Sequence, residues 1–214
     1  MKRKIFLDFD GTLIQSKLIK KALFDLIKEL GYEETETAKM YAVARDRGPL
    51  HPNDFISDLA KQKSLDPKPT QEKFAKKISV LAKTGFYDDA ARFLENVDCA
   101  KYEINLITYG DKEWQRLKVK NTGRHHHFDH LYYVGGKDKW KYIDQHLVKN
   151  EKFIFVDDFA RGVLEMKDAH PDCLAICIER ADNLVDNSII DDRGDIFRVK
   201  DFDEIQKIIE NNYA

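Results

Sequence analysis

A chain of 214 residues, 43% of them hydrophobic, has room for one α/β domain with an insertion and for a substantial buried core. Its 36 basic and 38 acidic side chains leave a formal charge of −2, which argues against a surface dedicated to nucleic acid or membrane. No apolar run approaches the ~20 residues needed to span a bilayer, so neither a nucleic acid nor a membrane is expected as a partner.

The opening Met1-Lys2-Arg3-Lys4 has the basic character of a secretory leader, but Asp8 and Asp10 interrupt the apolar stretch that a leader needs. Ile5-Phe6-Leu7-Asp8-Phe9-Asp10-Gly11-Thr12-Leu13 reads instead as a strand buried on both faces, ending in two aspartates and a Gly-Thr turn. Carboxylates crowded at one strand end cost energy unless a cation or a reaction uses them. Residues 15–84 carry no convincing strand. Leu18, Ala22, Leu26, Ile27 and Leu30 predict a helix closed by Gly31, and a second helix is expected over about 35–44. A third follows Pro52, with Phe55, Ile56 and Leu59 on one face; Pro67 and Pro69 break the chain before a fourth that carries Phe74, Ile78 and Leu81. Arg45 and Arg47 fall at the turn where Gly48 and Pro49 end the second helix. Guanidinium forks there suit an anionic part of a substrate, and a solvated helix end is an equal reading.

From residue 85 onward, strands and helices alternate. A helix at about 88–97 precedes the strand Ile104-Asn105-Leu106-Ile107, which ends in Thr108-Tyr109-Gly110, and another helix follows at about 111–120. His125, His126, His127 and His130 cannot all face one metal ion and read as a surface loop. Leu131–Val134 is a short strand, and Gly135-Gly136-Lys137-Asp138-Lys139 leads into a helix spaced by Trp140, Ile143 and Leu147. Phe153-Ile154-Phe155-Val156 is a further buried strand, ending in Asp157-Asp158. Strands at about 173–178 and 195–199 and a helix at about 201–212, capped by Asp201, complete the chain. The alternation implies a parallel, doubly wound sheet with right-handed crossovers. The odd count of three cysteines favours a reducing, cytoplasmic location, and Cys173 and Cys177 lie too far apart along one strand to be bridged.

Asp8-Phe9-Asp10-Gly11-Thr12-Leu13, the Thr108 strand end, a lysine in the 137–139 turn and Asp157-Asp158 occur in the order of the four motifs of the haloacid dehalogenase-like hydrolase superfamily, which the chain resembles. The resemblance implies a Rossmann-like core formed by residues 1–14 and 85–214, with 15–84 as an inserted all-helical cap. It implies Asp8 as the nucleophile that forms an aspartyl-phosphate and Asp10 as general acid and base. Thr108 and the backbone N–H beside it at Tyr109 would hold the phosphate. Lys137 is the preferred site lysine, because Trp140, Ile143 and Leu147 then fall at the family's apolar positions; Lys139 is the alternative. Asp8, Asp10 through its carbonyl, and Asp157 would ligate Mg2+, with Asp158 a ligand through water or an orienting group. An acid at position 10 distinguishes the chain from the dehalogenases, which release halide and need no protonated leaving group. The expected activity is therefore magnesium-dependent hydrolysis of a small phosphorylated metabolite. A phosphomutase of the same superfamily and a non-catalytic binding protein that keeps the fold are the alternatives.

Overall fold

The computed structural model describes residues 2–149, 151–182 and 186–213. Its strands are β1 (Arg3–Leu7), β2 (Tyr102–Tyr109), β3 (His130–Val134), β4 (Ile154–Asp157), β5 (Leu174–Ile178) and β6 (Phe197–Val199). They form one six-stranded sheet in the order β3-β2-β1-β4-β5-β6, and every pairing is parallel. The chain winds outward from β1 through β2 to β3, then returns to the other side of β1 and winds out through β4 to β6. The crevice where the winding reverses lies at the carboxyl ends of β1, β2 and β4, the usual ligand position in open α/β sheets.

Alternate residues of β1 feed different cores, as a period of two requires. Ile5 and Leu7 join a cluster with Leu106, Ile154 and Val156 on one face. Phe6 joins Ile107, Phe155, Ala175 and Cys177 on the other. With both faces covered, the central strands are continuous apolar runs, which is why they stand out in the sequence. Cys173 and Cys177 are buried, unpaired and part of that second cluster.

After β1 the chain forms the helices α1 (Ser16–Glu29), α2 (Glu34–Asp46), α3 (Pro52–Gln62) and α4 (Lys68–Thr84) within residues 15–84. Leu23 and Leu26 of α1, Ile56 of α3 and Phe74 and Ile78 of α4 are buried in the same cluster as β1. The α1 turn closes at Gly31, whose φ of 84° an L side chain rarely adopts. Pro69 does not stand outside α4 as a breaker; it sits in the first turn, where its missing N–H is no loss.

The remaining helices are α5 (Asp88–Asn96), α6 (Lys112–Asn121), α7 (Lys139–Asp144), α8 (Ala160–Ala169) and α9 (Phe202–Tyr213). Asp111 caps α6 by accepting from the Trp114 N–H at 2.8 Å, and Asp201 caps α9 by accepting from Glu204 N–H at 2.9 Å. Helix α7 is shorter than the apolar spacing implied, so Leu147 lies beyond its end. Among the described residues, no helix is long and apolar enough to cross a membrane.

Candidate active site

Leu7 stands opposite Val156 on one side and Leu106 on the other. That register carries Asp8 out of β1 beside Asp157 at the end of β4, and the Asp8 N–H donates to Val156 O at 2.9 Å. Asp8, Asp157 and Asp158 are all buried, and each offers one carboxylate oxygen within 4.8 Å of the others. Three acids in so small a buried volume need a cation beside them or a proton on one of them.

Lys139 supplies a cation from the protein. Its Nζ donates to Asp8 Oδ1 and, at 2.7 Å, to Asp157 Oδ2. The preference for Lys137 is thereby corrected: Lys137 borders the cavity, but the first residue of α7 is the one that reaches the carboxylates. The cause is local. The Lys139 N–H donates to Lys137 O at 2.8 Å in a tight turn, and α7 then runs only to Asp144. The apolar register that favoured Lys137 needed a helix reaching Leu147.

Burial pushes the Asp8 carboxyl up to about 7; Lys139 pulls it down, and the nearby Asp157 charge pushes it up again. Burial also works against the charge on Lys139, but Asp157 and Asp8 outweigh it and hold the ammonium protonated well above its usual range. Asp157 is further fixed by the Phe159 N–H, which donates to its Oδ1 at 2.9 Å. The fit to a divalent cation follows from this donor set: three buried carboxylates bring oxygen atoms within 4.8 Å of one another, and hard oxygen donors are what Mg2+ takes.

Asp10 is half-buried and turns toward α6. Its two oxygens lie 2.5 Å from Lys118 Nζ, and Gln115 Nε2 donates to Oδ2 at 2.9 Å. Burial works to raise this carboxyl, but Lys118, Gln115 and the charge of Arg45 together hold it below the usual carboxylate range. The sequence pattern gave no prominence to Gln115 or Lys118. The clue was available in the helical spacing: Lys118 stands one turn after Trp114 and beside Val119, at an inward position.

Thr108 is buried at the end of β2, next to Asp8's strand, and Tyr109 follows it at the cavity wall. The cavity has a volume of about 1020 Å3 and lies between these strand ends and the inserted helices. Arg45 reaches it from the last turn of α2 and feels the charge of Asp10. Arg47 is exposed at the end of α2 and takes no part in the cavity wall, so the pairing of these two arginines in one role is corrected. Trp114, Tyr41, Leu23 and Phe74 give the cavity an apolar and aromatic side opposite its charged floor. His125, His126 and His127 form a short 3-10 turn away from this site, and the only group of three or more potential metal ligands among the described residues is the Asp8 cluster.

Among solved structures, the fold is similar to a protein from Burkholderia xenovorans LB400 classed as a haloacid dehalogenase-like hydrolase, with a TM-score of 0.74 and 15% identity over 99% of this chain and 98% of that one. It is also similar to the HAD-hydrolase YfnB from Bacillus subtilis, whose structure is bound to magnesium (TM-score 0.62, 12% identity, 97% of this chain and 98% of that one). A third likeness is to a predicted phosphoglycolate phosphatase from Haemophilus somnus 129PT (TM-score 0.62, 16% identity, 97% of each chain). At such identities these likenesses concern the fold. No curated protein matches the chain. The haloacid dehalogenase-like hydrolase family model matches residues 5–176, most of the chain, and carries the assignment further. On the match to that model and on the fold, the protein belongs to the haloacid dehalogenase-like hydrolases.

Proposed function

We propose that this hydrolase is a magnesium-dependent phosphatase acting on a small phosphorylated metabolite, with residues 15–84 as a cap over a core of residues 1–14 and 85–214. The observation that carries the reading is the buried Asp8–Asp157–Asp158 cluster, with Lys139 bridging Asp8 and Asp157 and a fourth carboxylate, Asp10, in the same cavity wall. Halide displacement would give Asp10 nothing to do. Phosphoryl transfer to an alcohol or water uses it twice.

An Asp8 carboxylate oxygen attacks phosphorus as the bond to the leaving oxygen breaks, and Asp10 delivers a proton to that oxygen. Asp10 then takes a proton from water as the water attacks the phosphorus of the aspartyl-phosphate. Phosphate leaves and Asp8 is restored. At rest Asp10 is held ionised by Lys118, and a phosphate anion arriving beside it offsets that lysine's charge and favours its protonated form. Thr108 and Tyr109 hold phosphate oxygens at the end of β2, and Lys139 neutralises charge between Asp8 and the phosphate. Asp8, Asp157, Asp158 and the Asp10 carbonyl would hold Mg2+, which supplies neutralisation of the charge that builds up during transfer. A relative of the same fold bound to magnesium and another described as a predicted phosphatase support this assignment. Arg45 is suited to an anionic part of the substrate distant from the reacting phosphate. Three free cysteines agree with a reducing, cytoplasmic location.

The test is phosphate release from p-nitrophenyl phosphate and from a panel of phosphorylated metabolites, with and without magnesium, for the wild type and Asp8→Asn. Turnover that needs magnesium and vanishes in Asp8→Asn is expected. Turnover that survives the substitution, or that ignores chelation of the metal, would sink the proposal.

A further inference from the structure

We propose that Gln115 and Lys118 form a clamp that positions Asp10 for proton transfer, and that neither residue itself touches the reacting atoms; the proposal rests on the phosphatase reading above. Lys118 is almost fully buried, which is rare for a lysine without a specific partner. Its Nζ meets both Asp10 oxygens at 2.5 Å, and the ammonium lies 5.4 Å from the Phe9 ring and 5.5 Å from that of Trp114. Two aromatic faces and one carboxylate leave this ammonium a narrow choice of position. Gln115, three residues earlier on the same face of α6, ties the other side of the clamp. Its Nε2 donates to Asp10 Oδ2 and to Tyr109 O, each at 2.9 Å. Both partners are acceptors, so the amide orientation is fixed by the network.

Two costs accompany this arrangement. Gln115 Oε1 is buried without a partner, a defect that needs an explanation wherever it occurs. Gly110 holds a φ of 150°, and a Cβ there would stand 2.6 Å from Gln115 Nε2. The loop after the Thr108 strand is thus shaped to admit the glutamine. The result links Asp10 through one side chain to the backbone that follows Thr108, so the proton donor and the phosphate-holding loop move as a unit. General acid catalysis depends on such geometry, because a donor must stand within about 2.6–3.2 Å of its target. An unclamped aspartate rotates about its own side-chain bonds and spends most of its time elsewhere.

The test compares two leaving groups. Nitrophenolate departs without a proton, whereas the alkoxide of an alkyl phosphate needs one. Wild type, Lys118→Met, Gln115→Met and Asp10→Asn are assayed with magnesium on p-nitrophenyl phosphate and on an alkyl phosphate that the wild type hydrolyses. The clamp predicts that Lys118→Met lowers kcat on the alkyl phosphate by about 100-fold and on p-nitrophenyl phosphate by less than tenfold, with KM little changed. Gln115→Met should show the same asymmetry at smaller size, and Lys118→Arg should recover part of the loss. Adding Lys118→Met to Asp10→Asn should cost nothing further. Equal losses on both substrates, or losses that add in the double variant, would overturn the clamp while leaving the phosphatase reading intact. A wild type that releases no phosphate from either compound would overturn both.

Discussion

Lys139→Met tests the charge balance of the site. The substitution keeps the length of the side chain and removes the one cation that bridges Asp8 and Asp157, whose side chains are 7% and 4% exposed. Removing one partner of a buried ion pair costs about 3–5 kcal/mol. For a chain of 214 residues, 1 kcal/mol moves Tm by roughly 2–4 °C, so a fall of about 6–20 °C is expected. Protonation limits the damage. The Asp8 carboxyl is already raised from 3.8 to about 7, so the native state holds its proton more tightly than the unfolded chain does. In the wild type this contribution favours folding below the unfolded value of 3.8 and is lost progressively as pH rises from there to about 7. Without Lys139 the upward push is unopposed, and the window extends to higher pH. The variant's deficit should therefore widen between pH 5.5 and pH 8, and magnesium should restore the variant more than the wild type. Thermal melts at both pH values, with and without magnesium, measure this, with Lys137→Met as the control expected within about 0.5 kcal/mol of wild type. A Lys137→Met loss as large as that of Lys139→Met, or a deficit that does not change with pH, would refute the reasoning.

Magnesium affinity should weaken about tenfold for each pH unit below about 7, because the cation must displace the proton that burial favours on Asp8; calorimetry in buffers of different ionisation enthalpy would count that proton. Arg180→Ala should destabilise by about 3–5 kcal/mol at neutral pH. Its guanidinium donates to Asp89 Oδ2 at 2.7 Å and to Thr12 O at 2.9 Å, and lies 3.9 Å from the Tyr87 ring centre. Burial works to raise Asp89, but Arg180 and the Phe202 N–H hold it below the usual carboxylate range. That stability is present above the unfolded value of 3.8 and is lost as pH falls through the folded one, so urea unfolding of the variant and wild type should converge in acid. Gly110→Ala should cost about 1–3 kcal/mol in a thermal melt, from the positive φ and from the contact with Gln115. The same substitution should depress alkyl phosphate turnover as Gln115→Met does, whereas unchanged turnover would separate Gly110 from the clamp.

The central strands and the four acids were legible because both report the same physics. A strand covered on both faces has no polar alternation, so Ile5–Leu7 and Phe153–Val156 stand out, and the carboxylates at their ends violate the expectation for buried positions. The helices of 15–84 were legible from apolar spacing. Which lysine reaches the carboxylates was not, because Lys137 and Lys139 differ only in a turn whose one hydrogen bond has no counterpart in residue pattern. Helix α8 escaped notice because only Ala160, Val163 and Met166 are buried on it, with Gly162 inside and no side-chain cap at its start. Lys118 escaped for a different reason. A lysine on a helix ordinarily marks the solvated face, and here the inward position is occupied by a charge whose partner lies 108 residues away.

One indole lies beside the Lys118 ammonium, and the other follows Lys139 in sequence. Trp114 lies 5.5 Å from the Lys118 ammonium and stacks on Phe74 of α4 at 5.6 Å and 27°, while Trp140 follows Lys139 in α7. These are the two tryptophans of the chain. Indole emission shifts with the field of a nearby charge and with access of water, so the protein carries two intrinsic optical probes of its own electrostatics. In Trp140→Phe the remaining emission reads the seam between α4 and α6 together with the state of Lys118. In Trp114→Phe it reads the beginning of α7.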